Sequence, residues 1–285
     1  MKILWLRPQK SENISVGRQR IALILQERGH EVEVKTTSFS LKSPVPAEFS
    51  PDVVIGTTRL GAFIGALEKK KHGTPLVVDH IDPIHQMKER SGWLKYFVAA
   101  GMERFAFRNA NHVMVVYEEE IPRVRRYNDK VTHTDLGVEY DIFADPTTEA
   151  IENARSAIAE EGCSGKKTLI YVGGLEPTYN IMEIVESMDY LNDEWVLLIL
   201  GDGSLREYVE TADKNRRDMC YLGTVPHEMV PGFMHESDVG ISLVDDRNTL
   251  KMLEYGAVRI PAVSVEGDAE RVYNGMVEFC NLEPK

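Results

Sequence analysis

The residues with the clearest chemical potential lie between Asp245 and Val263 of the 285-residue chain. Lys251 and Glu254 are three residues apart, so a helix over this segment places both side chains on one face. A lysine at the start of a helix can bind a diphosphate, and a carboxylate one turn later can accept hydrogen bonds from vicinal ribose hydroxyls. A surface Lys–Glu pair has the same spacing and contributes only about 0.2–0.5 kcal/mol. The spacing alone favours this surface pair.

Three glycine-containing segments lie where predicted strands end or helices begin. These are Gly17-Arg18, Gly173-Gly174-Leu175 and Gly201-Asp202-Gly203. Glycine allows a ligand to approach the backbone, and the N-terminus of a helix favours an anion. Each segment is equally typical of an ordinary turn, with a solvated arginine in the first. In the third, we expect Asp202 to cap the chain locally and Ser204 to be the N-cap of the next helix.

The rest of the chain alternates short β-rich runs with helical periodicity, which predicts βα units and parallel sheets. Predicted strands are Ile3–Leu6, Glu31–Thr36, Val53–Ile55, Leu76–Val78, His112–Val116, Val131–Thr134, Thr168–Val172, Trp195–Leu200, Met219–Leu222, Val239–Leu243, Pro261–Val265 and Met276–Phe279. Predicted helices are Arg18–Arg28, Leu94–Arg108, Thr148–Glu161, Ile181–Tyr190, Ser204–Asp213, Glu228–Glu236 and Leu250–Ala257.

A polar stretch, Glu139–Gly165, separates two such alternating halves. We therefore predict two doubly wound α/β domains of Rossmann-like type, residues 1–147 and 148–285, which face each other across a cleft. Ligands of doubly wound sheets bind at the carboxyl ends of the strands. The glycine segments and the Lys251 segment are all expected at such ends.

Composition excludes several classes of protein. The formal net charge is −12 and the pI is about 5.2, which argues against binding nucleic acid through phosphate neutralisation. No apolar run approaches the roughly 20 residues of a membrane-spanning helix, and the N-terminus is predicted to be a strand rather than a signal peptide. Cys163, Cys220 and Cys280 show neither metal-ligand spacing nor a disulfide framework, so we expect reduced thiols and a cytoplasmic location.

Two further segments allow a peripheral contact with the cytoplasmic face of a membrane. Aromatic residues at helical spacing are more often core residues, and a run of basic residues is usually a solvated face. We therefore expect a buried aromatic stripe and a solvated basic run, with membrane contact as the alternative. The residues are Trp93, Tyr96, Phe97, Phe105 and Phe107, followed by Arg123-Val124-Arg125-Arg126.

Many short segments occur in the order found in one enzyme family. They are Gly17-Arg18 through Arg28-Gly29-His30-Glu31-Val32, Met102-Glu103-Arg104 to Asn111-His112-Val113, Leu136-Gly137-Val138 to Phe143, Tyr171 to Leu175, Leu200 to Gly203, Tyr221 to Pro226, and Lys251 to Pro261. Across nearly the whole sequence the chain resembles GT-B glycosyltransferases of the retaining, family 4 kind.

The resemblance implies a nucleotide-diphosphate sugar donor, such as a UDP- or GDP-sugar, bound mainly by the C-terminal domain. Glu254 would then bind the ribose hydroxyls, while Lys251 and the amides near Leu250 face the diphosphate. Asp246 occupies the place of the first glutamate of the family's E-x7-E pair and would reach the donor sugar. The predicted catalytic residues are Asp246, Lys251 and His80. Further predicted binding residues are Gly17, Arg18, Gly173, Gly174, Gly201, Thr224 and Val225.

Within this set, Thr224 and Val225 would border the base, and Gly17 and Arg18 the phosphates or acceptor. His80 would line the acceptor side, although an ordinary loop histidine is an equal alternative. The implied reaction is sugar transfer with retention to a glycan, lipid or other hydroxyl. No metal and no cofactor are required for that reaction.

The sequence departs from the family pattern in two ways. Gly174 stands where the family has an arginine, and Thr178-Tyr179-Asn180 stands where it has a lysine, so two phosphate-binding cations are absent. The chain also ends soon after the last predicted strand, where family members continue. Two alternatives therefore accompany the transferase: a catalytically weakened GT-B binding or scaffold module, and a sugar-nucleotide epimerase of GT-B fold.

Overall fold

The computed structural model describes residues 1–8, 15–37, 48–81, 84–134, 137–244, 249–266 and 277–280. The chain divides into two compact units, Met1–Leu136 and Gly137–Lys285. The boundary predicted from the sequence lies one short helix further along the chain. That helix contributes Phe143 to the core of the second unit, because its ring packs among buried residues there.

The N-terminal unit contains a parallel sheet of six strands in the order β2-β1-β3-β4-β5-β6. Its elements are β1 (Lys2–Pro8), α1 (Ser15–Glu27), β2 (Glu31–Thr37), β3 (Val53–Thr57), α2 (Thr58–His72), β4 (Leu76–His80), α3 (Ile84–Asn109), β5 (His112–Val115), α4 (Ile121–Arg125) and β6 (Val131–His133). The winding reverses between β1 and β3, and the carboxyl ends of strands at such a point are the usual ligand side.

The side chains of β1 alternate between the two faces of this sheet, and both faces are covered by helices. Leu4 and Leu6 point into a core shared with α2 and α3, whereas Ile3 and Trp5 point into a second core with α1. A strand buried on both faces has a continuous apolar sequence, as parallel sheets require. The apolar run at the N-terminus is therefore a strand, as predicted, and it lies between β2 and β3 in the sheet.

The C-terminal unit contains a second parallel sheet of six strands, in the order β12-β11-β10-β7-β8-β9. Its elements are α5 (Tyr140–Ala144), α6 (Thr148–Glu160), β7 (Lys167–Val172), α7 (Ile181–Ser187), β8 (Trp195–Leu200), α8 (Arg206–Asn215), β9 (Met219–Gly223), α9 (Val230–His235), β10 (Val239–Ser242), α10 (Leu250–Val258), β11 (Ala262–Val265) and β12 (Val277–Cys280). This is the strand order of classical dinucleotide-binding folds, with the topological switch between β7 and β10.

Strand β8, which lies between β7 and β9, is buried on both faces of this second sheet. Val196, Leu198 and Leu200 pack with α6, α9 and α10 on one face, and Leu197 and Ile199 pack with α7 and α8 on the other. All five side chains are almost completely buried. Because successive side chains of a strand point to opposite faces of the sheet, β8 contributes to two separate hydrophobic cores.

Several expectations about local structure were wrong. Helix α1 begins at Ser15, so Gly17 lies inside its first turn and not in a loop before it. Helix α8 begins at Arg206, and Ser204 is not its N-cap. Helix α2 was not predicted. It ends where Gly73 adopts the left-handed conformation and donates its N–H to Lys69, which is a common helix terminus.

The aromatic stripe predicted to be core is also partly wrong. Phe107 is buried and Phe105 partly buried, but Trp93 and Phe97 are mostly exposed. The backbone of Gly92 breaks helical geometry inside α3, with φ 76° and ψ 166°. In the part of α3 that follows Gly92, the apolar residues that are buried are Ala99, Ala106 and Phe107.

Cys163 and Cys220 form a disulfide bond, which contradicts the expectation of reduced thiols. The two residues are 57 positions apart, and they meet because the α6–β7 connection passes beside β9. A pairing set by tertiary structure cannot be deduced from cysteine spacing. The bond removes the observation that supported a cytoplasmic location. Among the described residues, no helix is both long and apolar enough to span a bilayer.

Candidate functional site

The connections after β7 and β8 interlock through their backbones. Gly173 donates its N–H to Leu200, and Leu175 donates its N–H to Asp202. A Cβ on Gly201 would lie 1.8 Å from the carbonyl oxygen of Gly173, so no other residue fits at that position. Gly201, predicted to face a ligand, is therefore required by this loop contact.

Helix α10 is fixed directly over the topological switch point by Tyr255. Its hydroxyl lies within hydrogen-bonding distance of the carbonyl oxygens of Ile170 in β7 and Ile241 in β10, at 3.0 and 3.2 Å, and shares its one proton between them. Gly240 makes room for the ring, since a Cβ there would lie 2.5 Å from it. These contacts place the first turn of α10 near the carboxyl ends of both strands.

Lys251 extends from that first turn into a buried position. Its side chain is 8% exposed, and its Nζ lies 4.1 Å from the centre of the Tyr171 ring and 4.8 Å from that of Tyr179. Among the described residues, none accepts a hydrogen bond from Nζ. Burial lowers the pKa of Lys251 to about 7, and Glu254 opposes this shift only in part.

Glu254 lies one helical turn after Lys251 and is 7% exposed. Burial raises the pKa of this carboxyl to about 7, and the nearby lysine partly offsets the rise. The surface Lys–Glu pair favoured by spacing alone is therefore wrong, because both side chains are buried. Buried ionisable groups with shifted pKa values are a frequent feature of functional sites.

Gly173 lies beside the ammonium of Lys251, which extends from the first turn of α10. A Cβ on Gly173 would lie 3.1 Å from Nζ, so the glycine allows the backbone of residue 173 to lie close to the ammonium. Leu250 is the first residue of α10, whose N-terminus carries partial positive charge. The lysine, the helix end and the glycine backbone together suit an anion such as phosphate.

The positions that lack the family's cations have a definite structure here. A Cβ on Gly174 would lie 3.3 Å from the Tyr179 ring, so this ring fills the space where a longer side chain would begin. The Tyr171 hydroxyl donates to the carbonyl oxygen of Gly174 and fixes that turn. Asn180 adopts the left-handed conformation and donates to the carbonyl oxygen of Leu243, past the end of β10.

The remaining predicted residues of this unit are less enclosed. Thr224 is exposed and Val225 half-buried in the turn that follows β9. Asp202 accepts from the N–H of Gly203 within the loop and does not cap α8, which has no side-chain cap. Ser204 donates its hydroxyl to Glu176 instead of capping α8. Asp246 lies outside the described residues.

In the N-terminal unit, Arg18 and Asp79 form a bidentate ion pair with two contacts of 3.1 Å. Asp79 is buried at the end of β4 and also accepts from the hydroxyl of Thr57, which in turn accepts from the Trp5 indole. The guanidinium of Arg18 is thus oriented at the carboxyl ends of β1, β3 and β4. Gly17 lies one residue away in α1.

His80 follows Asp79 and is 3% exposed. Its Nε2 lies 3.0 Å from Glu120 and 3.2 Å from Arg123. Contacts with His80 and Arg123 hold the pKa of Glu120 down to about 2 against the opposing effect of burial. His80 is therefore part of an enclosed charge network rather than an open loop.

Sequence reasoning missed Tyr171, Tyr179 and Tyr255. Tyr171 was visible only as part of a buried strand, and Tyr179 only as a replacement for a cation. The one available signal was Tyr255 next to Glu254, on the helix that also carries Lys251. The Tyr171 and Tyr179 rings contact Lys251, and the Tyr255 hydroxyl contacts β7 and β10. These contacts join elements that are far apart in sequence.

Known structures share this architecture, although no family model and no curated protein sequence matches the chain. HepE from Anabaena, in complex with UDP-glucose, is 16% identical with a TM-score of 0.72, over 98% of this chain and 85% of that one. Sucrose-phosphate synthase from Thermosynechococcus elongatus is 13% identical with a TM-score of 0.74, over 98% and 86%. WaaG, a glycosyltransferase involved in lipopolysaccharide biosynthesis, is 13% identical with a TM-score of 0.70, over 99% and 87%.

At these identities the likeness concerns the fold. The predicted α/β architecture of GT-B type, with two Rossmann-like units, is confirmed by the two parallel sheets and by these structures.

Proposed function

We propose that this chain is a glycosyltransferase that uses a nucleotide-diphosphate sugar. The observation that carries the proposal is Lys251, a buried ammonium that no described group hydrogen-bonds, at the switch point between β7 and β10. An unpaired buried cation is costly to a fold unless an anion binds there. The shared fold of HepE, which was solved with UDP and with UDP-glucose, makes a UDP-sugar the first donor to test.

In the proposed complex each residue has a separate task. Lys251 and the first amides of α10, beginning at Leu250, bind the diphosphate. Glu254 accepts from the ribose hydroxyls, Thr224 and Val225 border the base, and Asp246 reaches the donor sugar. The backbone of Gly173 and Gly174 allows close approach of the phosphates.

The proposed reaction breaks the bond between the sugar's anomeric carbon and the diphosphate oxygen, which keeps the electron pair. The acceptor hydroxyl oxygen bonds to the same carbon with retention, and its proton passes to the departing diphosphate. Lys251 and the helix terminus stabilise the developing negative charge, which is a preorganised electrostatic role. We propose that this stabilisation needs no metal ion, so chelation by EDTA should leave the rate unchanged.

On the acceptor side we propose the region near Arg18 and His80. Both are held at the carboxyl ends of strands in the N-terminal unit, Arg18 by Asp79 and His80 by Glu120. Because His80 is almost fully buried, its proposed role is to position this network. The acceptor is a hydroxyl of a glycan, a lipid-linked sugar or another small molecule.

A donor screen that measures release of nucleoside diphosphate tests the proposal. Release from a UDP- or GDP-sugar that depends on an acceptor supports transfer. Conversion of the sugar to an isomer without acceptor supports an epimerase instead. Tight binding of UDP without turnover supports a binding module, and no binding of any nucleoside diphosphate refutes the proposed site.

A further inference from the structure

Helix α3 exposes a cluster of large apolar side chains directly after Gly92, where its helical geometry resumes. Trp93, Leu94, Phe97 and Val98 are each more than half exposed, between 56% and 79%. The Trp93 and Phe97 rings stack with their centres 6.1 Å apart. Single exposed apolar residues are common, but a contiguous cluster of this kind usually marks an interaction surface.

The same side of α3 becomes basic toward its C-terminal end. Trp93, Phe97, Arg104 and Arg108 are separated by four, seven and four residues, so they lie along one helical stripe. In the described part of α3 that follows Gly92, the exposed charged residues are all basic, with Lys95 completing the set.

In the part of α3 that follows Gly92, the acidic residue does not neutralise the stripe. Glu103 is 1% exposed, and its carboxylate pairs with Arg59 and Arg123 on the inner side. Helix α2 packs beside α3 and exposes Leu67, Lys70 and Lys71. A local basic and apolar face on a chain with a net charge of −12 is selective for a negatively charged partner.

We infer that this face of α3 and α2 docks on the surface of an anionic lipid bilayer. The aromatic and aliphatic side chains enter the boundary between headgroups and acyl chains, while the arginines and lysines contact lipid phosphates. Long basic side chains suit this geometry because their stems lie along apolar surface. A second copy of the chain is the poorer occupant, since a two-fold contact brings the same basic residues against each other. This inference does not depend on the proposed sugar transfer.

Co-sedimentation of the full chain with vesicles tests the inference without nucleotide. One vesicle is pure phosphatidylcholine, and the other contains about a third phosphatidylglycerol. We expect binding to the anionic vesicles that weakens as salt is raised, because the lipid charge is screened. Trp93 provides a second readout, since Trp5 is buried and Trp195 partly buried. Its fluorescence should shift to shorter wavelength with anionic vesicles.

Substitutions separate the two contributions. Trp93→Ser with Phe97→Ser should reduce vesicle binding at least tenfold, because the apolar contact is lost. Arg104→Gln with Arg108→Gln should reduce it by about 25-fold, at roughly fivefold for each basic residue near the surface. Matched controls are Tyr190→Ser, which removes an exposed aromatic residue of the C-terminal unit, and Lys214→Gln with Arg217→Gln. Both controls should bind as the wild type does.

Three results overturn the inference. The first is a wild-type chain that does not bind anionic vesicles at low salt, and the second is binding that persists in both α3 variants. The third is a concentration-dependent dimer, seen by light scattering, that the Trp93→Ser and Phe97→Ser changes convert to monomer. Calorimetry with UDP on the same variants keeps the two proposals distinct, because nucleotide binding should be unchanged in all of them.

Discussion

The ammonium of Lys251 lies 4.1 Å from the centre of the Tyr171 ring, with the Tyr179 ring 4.8 Å from the same nitrogen. The electron-rich faces of aromatic rings attract cations, and the attraction grows when water is excluded. The two rings thus favour the charged form of a lysine whose pKa burial lowers to about 7. Among the described residues, none accepts a hydrogen bond from this nitrogen, which is why we propose an anionic ligand for it.

Replacement of Lys251 tests its role toward the diphosphate. In Lys251→Ala we expect turnover to fall about a hundredfold, a typical result of removing one preorganised electrostatic partner. Binding of UDP should weaken, whereas binding of uridine should not, because uridine has no phosphate. If the affinities for UDP and uridine fall equally, or neither falls, Lys251 does not bind the diphosphate and its role is structural.

The same lysine gives a prediction about stability. A buried, unpaired charge is unfavourable in the folded state, and an apolar residue of similar shape often stabilises the protein. Lys251→Met should therefore raise the free energy of unfolding in urea while it abolishes the preference for UDP over uridine. The control is Lys214→Met on exposed α8, which we expect to change neither quantity. A less stable Lys251→Met protein contradicts the prediction.

Glu254→Gln tests the assignment of the ribose contact. The amide has nearly the same shape but loses the charged acceptor, whose hydrogen bonds contribute about 1.5–3 kcal/mol. We expect affinity for UDP and for uridine to fall together, by roughly ten- to a hundredfold, since both ligands carry the ribose. Calorimetry with 2′-deoxyuridine provides the control: it should bind the wild type weakly and lose little in the variant.

Much of this architecture could be predicted from sequence, and the reasons for the failures are physical. The β8 run from Trp195 to Leu200 has the length and composition of a strand buried on both faces, so periodicity was sufficient. The shared face of Lys251 and Glu254 also followed from helical spacing. Their burial did not follow, because residues three apart share a face on a surface helix as well as on a buried one.

Long-range contacts account for the other errors. Cys163 and Cys220 meet only in the folded sheet, and the ammonium of Lys251 meets the Tyr171 and Tyr179 rings only because the start of α10 packs beside the end of β7 and the connection that follows it. Trp93 and Phe97 have the periodicity of core residues, yet both are more than half exposed, because helical spacing does not show which face of a helix meets the sheet. Asp246 lies outside the described residues, and its role stays a prediction.

A variant of Tyr179 tests the aromatic contact with Lys251. Tyr179→Leu removes the ring and should weaken UDP binding by about two- to thirtyfold, as expected for a cation–π contact of 0.5–2 kcal/mol. Tyr179→Phe keeps the ring and should bind nearly as the wild type does. If the phenylalanine variant is as weak as the leucine variant, the hydroxyl rather than the ring is important.

The two buried ionisable groups predict an unusual dependence of stability on pH. The pKa of Glu254 is about 7 in the folded chain against an ordinary 4.5, so the folded state holds an extra proton between these values. Stability contributed by Glu254 is therefore lost as pH rises from 4.5 to 7. The pKa of Lys251 is about 7 against an ordinary 10.5, so the unfolded state holds the extra proton above pH 7. Stability contributed by Lys251 therefore increases as pH rises from 7 to 10.5.

The reference for both effects is the double variant Lys251→Met with Glu254→Gln, which carries neither group. The free energy of unfolding of the wild type should fall furthest below that of this variant near pH 7. Urea unfolding of both proteins at intervals from pH 5 to 9 measures this difference.

A bound diphosphate should favour the charged lysine, so UDP binding at pH 8 should take up a proton. Calorimetry in two buffers of different ionisation enthalpy detects that uptake. A flat difference between the two proteins, together with no proton uptake, would show that Lys251 and Glu254 are solvated in the folded chain.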